Sequence, residues 1–139
     1  MSIAALIAWL VTAIGGFVLL GTWIARGGTR GSDRSHFPPP VIFGHFALAA
    51  AGLVVWIVYL FADSTVLAWI AFVLLVPVAA LGFTMLARWI PTYRARSATA
   101  EGTDVAERHF PVVVVGAHGV IAVVTVVLVL LAALGVGGS

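Results

Sequence analysis

The chain reads as an all-α protein, a four-helix transmembrane bundle built from two tandem, parallel-repeat helical hairpins. Three observations predict it. Hydrophobic residues make up 63% of the 139 residues and charged residues only 9%, against roughly 25% charged in an ordinary soluble domain. The apolar residues gather in four nearly uncharged stretches, about 3–25, 41–62, 66–87 and 111–134. Each reaches the roughly 20 residues that a helix needs to cross about 30 Å of hydrocarbon. Finally, His36-Phe37-Pro38 recurs as His109-Phe110-Pro111, and each copy is followed at the same distance by one more histidine, His45 and His118.

The first stretch begins Met1-Ser2-Ile3-Ala4-Ala5 without a basic segment, so it reads as a retained helix and not a cleaved signal. It ends in Thr22-Trp23-Ile24-Ala25-Arg26. The second is opened by Pro38, with Pro39 and Pro40 extending a rigid entry; proline at a first helical position loses no hydrogen bond and has its φ preset. The third carries Pro77, which should kink it, and ends in Thr84-Met85-Leu86-Ala87-Arg88, in register with the end of the first. The fourth is opened by Pro111, and Ala122 and Val127 match Ala49 and Val54 of the second. With no water to satisfy backbone groups, spans of this length must be helical. The chain is thus one membrane domain, 1–139, with repeat one over 3–62 and repeat two over 65–135. The loops differ by an acidic insertion at 102–108.

All seven basic residues are arginines, and all lie in or beside two loops: Arg26, Arg30 and Arg34 in the first, Arg88, Arg94, Arg96 and Arg108 in the third. The positive-inside rule puts those loops in the cytoplasm and both termini outside a plasma (inner) membrane. Phe37, Phe110, Trp89 and Tyr93 fit an aromatic belt on that side. The loops suit anionic lipid better than nucleic acid. There is no cysteine, which excludes iron–sulfur clusters and thiolate zinc sites. No carboxylate lies within the four stretches, so the hallmark helix-one glutamate of small multidrug exporters is missing. No serine hydrolase or zinc protease motif is present, and a stand-alone enzyme is not expected.

The two deep histidines carry the functional argument. His45 and His118 each lie seven residues past a proline, roughly 10 Å into the helix. Ionisable groups at that depth are costly and usually functional. Ala49 and Gly52 follow His45 on one face, and Ala122 and Thr125 follow His118. Gly44, Gly116 and Gly119 add space. Two neutral imidazoles on facing helices can supply both axial ligands of a b-type haem and favour electron transfer, because no coordination position stays open. Arg26 and Arg88, with His36 and His109, would then surround the propionates, and Trp23 and Phe46 are adjacent packing candidates. The same pair equally suits polar glue, the imidazoles bonding each other or Thr22, Thr84 or Thr125. A metal or quinone contact is a further alternative. An interfacial metal site joining His36 and His109 to Asp33, Glu101, Asp104 or Glu107 has no support from spacing.

The layout resembles small four-helix integral membrane proteins of high-GC bacteria, in keeping with arginine replacing lysine throughout. The paired histidines are similar to the plan of four-helix b-type cytochromes. That likeness implies membrane electron transfer with quinone or a larger respiratory complex, and one deep histidine per helix implies one haem. The competing expectations are a non-enzymatic accessory or scaffold subunit, and a small-solute permease acting as a homo-oligomer.

Overall fold

The computed structural model describes residues 1–95 and 104–136, so Arg96 and Glu101 lie outside the described residues. Four helices run α1 Ser2–Ala25, α2 Pro39–Ala62, α3 Thr65–Ala95 and α4 Val112–Ala133, and a single 3₁₀ turn, Ala106–His109, precedes α4. All four are long and apolar enough to cross a membrane. Pro38 and Pro111 stand one residue outside their helices, extended at φ −62° and −65°. They act as caps, and Pro39 takes the first helical position in α2.

The third helix exceeds its expected end by two turns. It continues past Arg88 through Trp89, Pro91 and Arg94, because polar residues beyond the apolar span do not by themselves end a helix. Pro77 and Pro91 both lie inside it. Each withholds one amide from the helix without ending it. Asp63 closes α2 in the left-handed conformation, φ 47°, which Asp adopts more readily than most residues. The Asp63–Ser64 turn therefore holds α2 tightly antiparallel to α3.

Around the bundle α1 packs most closely on α4 and α2 on α3; α3 meets α4 less extensively, and α1 touches α2 least. α2 and α4 sit across the diagonal, with no close backbone approach among the described residues. The core is divided into two clusters. One gathers Ala5, Trp9, Trp56, Tyr59, Ala68, Ala71, Leu75, Val78, Val129 and Ala133 toward the end bearing the 63–64 turn. Gly52 makes it possible, since a Cβ there would lie 3.0 Å from the Trp9 ring. The other gathers Trp23, Phe37, Ile42, Trp89, Ala106 and Phe110 at the loop end. The aromatic-belt expectation is corrected here. Phe37, Phe110 and Trp89 are buried and only Tyr93 is exposed, because the two loops fold over the bundle end and supply a lid for these rings. Gly28 belongs to the same arrangement, since a side chain there would collide with the Trp23 indole.

Candidate functional site

Every helix passes from one core cluster to the other through a short interval, and the deep histidines occupy it. On α1 the interval is Thr12 to Gly16; on α2 it holds His45; on α3 it runs from Val78 to Gly82; on α4 it holds His118. Both imidazoles point into the bundle. Their ring centres are 6.3 Å apart, with the planes tilted 57°. The diagonal helices thus meet through side chains where their backbones do not.

Each ring is held by the helix beside it. His45 Nδ1 is 2.9 Å from the carbonyl oxygen of Val78 on α3, and His118 Nδ1 is 2.9 Å from that of Thr12 on α1. A carbonyl only accepts, so Nδ1–H donates in both, and the neutral imidazole then carries its lone pair on Nε2. No protein group among the described residues accepts or donates at either Nε2. Each carbonyl belongs to the residue four before a glycine that the imidazole overlies. A Cβ on Gly16 would lie 3.2 Å from His118 Cε1, and one on Gly82 would lie 3.4 Å from His45 Cε1. Without a side chain the helix surface is low there, and the ring can reach the backbone.

Several expectations are corrected by this geometry. The space comes from Gly15, Gly16 and Gly82, whereas Gly116 and Gly119 have no neighbour within 4 Å that a Cβ would meet, and Gly44 has only a remote leucine methyl. The threonines do not partner the histidines: Thr22, Thr84 and Thr125 bond the carbonyls of Val18, Ala80 and Ile121 on their own helices. Thr125 also comes within 3.5 Å of Thr12, adding hydroxyls to the layer. Phe46 lies against Phe17 at the α1–α2 seam. Trp23 is fully buried, donating to Ser35 Oγ at 2.9 Å. The glycine signal was present in the sequence, but only the rotation of α1 and α3 shows which glycines face the rings.

The outer histidines and the arginines are placed differently. Arg88 Nη1 donates to the His36 carbonyl at 3.0 Å. The His36 Nδ1 is 3.0 Å from Glu107 Oε1 and 3.3 Å from Thr92 Oγ1. His109 Nε2 is 2.8 Å from Asp104 Oδ1, and that hydrogen bond and the His109 charge hold the Asp104 carboxyl below its usual range. Arg26 is exposed beyond the end of α1. In the sequence Glu107 is only one of four loop acids that could join His36 and His109, with nothing to mark it as buried. It is completely buried. Its carboxylate accepts from Ser35 Oγ at 2.9 Å and from the His36 amide at 2.7 Å, and its carbonyl accepts from Trp89 Nε1 at 3.1 Å. The surrounding Trp, Ser and Phe-Pro residues were visible in sequence, but nothing in their spacing marks this carboxylate among its exposed neighbours.

Chemically, the deep pair offers two imidazoles that are half-buried inside the bundle, their ring centres 6.3 Å apart. Among the described residues no three His, Asp or Glu side chains gather as a metal-binding group, so a protein-only tetrahedral site has no basis. The chain matches no protein-family model, no curated protein sequence and no solved structure.

Proposed function

We propose that this membrane protein binds one b-type haem between His45 and His118 and carries electrons within the bilayer, exchanging them with quinone or a larger respiratory assembly. The observation that carries the reading is the 6.3 Å separation of the two ring centres across the bundle diagonal. Two metal–nitrogen bonds of about 2.0 Å each bring opposed imidazole centres to roughly that separation. The Nδ1–H to carbonyl bonds support it as well, since a metal-bound histidine characteristically donates its other ring N–H to such a partner. Room for a macrocycle has to come from the α1–α2 seam, the loosest helix contact in the bundle. The arginine loops face the cytoplasm in this reading, and Arg26, exposed at that end, would meet a propionate. Six-coordinate iron would serve electron transfer and not oxygen binding.

A second reading, an accessory subunit with structural histidines, is favoured by the same two hydrogen bonds, because each already ties a pair of helices together. Expression of the full chain with haem supplementation separates the two. The first expects a Soret band in the purified protein that His45→Ala or His118→Ala abolishes. A colourless, folded protein under those conditions overturns it and leaves the second.

A further inference from the structure

At the loop end, a shallow open groove of about 400 Å³ is lined by His36, Arg88, Pro91, Thr92 and Ala95. It lies where α3 emerges from its apolar span. Arg88 and Thr92 are one turn apart on the same face of α3, so a guanidinium and a hydroxyl point to one place. The guanidinium is steadied by a bond to the His36 carbonyl, which uses one of its five donors. The imidazole of His36 is half exposed at the rim. Among the described residues the acid at this rim is Glu107, which is buried beneath it and already accepts from Ser35 and from the His36 amide. Pro91 and Ala95 leave the remaining wall apolar.

From this placement we infer that the groove holds the phosphate of an anionic phospholipid, Arg88 and Thr92 donating to the phosphate and the Pro91–Ala95 wall lying along the start of an acyl chain. The charge sign, the position at the membrane surface and the half-apolar lining agree on that occupant. Basic pockets at helix ends are a recurrent way of holding such headgroups. The site stands whether or not His45 and His118 ligate iron.

Native mass spectrometry of the full chain in mild detergent, titrated with phosphatidylglycerol or with phosphatidylcholine, tests it. The wild type should retain phosphatidylglycerol with about fivefold preference, the value expected from one well-placed arginine. Arg88→Gln should remove the preference and Thr92→Val, which keeps the side-chain shape, should weaken it, while Arg30→Gln in the neighbouring loop should leave it intact. Equal retention of the two lipids, a preference that survives both Arg88→Gln and Thr92→Val, or displacement of phosphatidylglycerol by millimolar inorganic phosphate would each overturn the assignment. Circular dichroism of each variant confirms that helix content is kept.

Discussion

Ser35 Oγ donates to Glu107 Oε2 at 2.9 Å, joining two loops separated by 72 positions in the chain. The same hydroxyl accepts from Trp23 Nε1 at 2.9 Å and from the Phe37 amide at 3.0 Å, and the Ala106 amide donates to the Arg34 carbonyl at 2.8 Å. The two loops therefore form one clasp, with a buried carboxylate at its centre. It holds the bundle shut at the end where Phe37, Trp89 and Phe110 are covered.

That clasp should be the most sensitive polar feature of the fold. Glu107→Ala leaves the buried Ser35 hydroxyl and the part-buried His36 amide without their acceptor, a buried orphan costing about 1–3 kcal/mol. Thermal unfolding in detergent should show a loss of about 2–5 kcal/mol, whereas Asp33→Ala, on an exposed loop position, should stay within about 0.5 kcal/mol. Equal effects for the two would show that the carboxylate contributes nothing.

The seating of His118 depends on Gly16. Gly16→Val forces atoms into the space of the imidazole, 3.2 Å from the virtual Cβ, and overpacking of this kind costs about 1–3 kcal/mol. Gly21→Ala, where nothing lies within 4 Å, should be neutral or stabilising by up to about 1 kcal/mol. Unfolding midpoints of the two variants check the difference. Nitrogen-15 spectra of the histidine rings should report loss of the Nδ1–H bond to Thr12 in the first variant alone.

Acid titration should single out Asp104. Its carboxyl is held below the usual range first by the hydrogen bond from His109, then by the charges of His109, Arg108 and Arg26. A folded-state value below the unfolded one means that the stabilising contribution is complete above the ordinary carboxylate value of about 3.9 and disappears as pH falls through the lower folded value. Carbon-13 titration of the Asp104 carboxyl should give a midpoint below that of a free aspartate, and His109→Ala should raise it. An unchanged midpoint in that variant would remove the pairing as the cause.

The element boundaries show where sequence reading succeeds. The four spans were legible to within a few residues at every end but one, because composition alone sets where a chain can enter hydrocarbon. The exception, α3 beyond Arg88, continues because helix propagation needs only the absence of a terminator, and a charged residue outside the apolar span is not one. That His45 and His118 lie at one level of the bundle was legible too, by counting from a proline. Their partners were not. Imidazoles for which the threonines were one possible partner meet carbonyls above Gly16 and Gly82, while those threonines bond back to their own helices. The matched helix ends give a different offset from the rings' partners: Thr22 and Thr84 stand 62 residues apart, while Thr12 and Val78, whose carbonyls accept from the rings, stand 66 apart. The difference is about one helical turn, which returns the same face at another height.

Composition and spacing decide the class of this protein, its helix number and the level at which two imidazoles lie, since a hydrocarbon slab about 30 Å thick admits few other solutions for such a chain. Tertiary packing alone decides that α2 and α4 oppose each other on the diagonal, that glycines of α1 and α3 receive the rings, and that Glu107 is buried while Asp104 is exposed. Those outcomes depend on how each helix is rotated and on the path of two loops, and such choices arise from contacts between residues far apart in the chain.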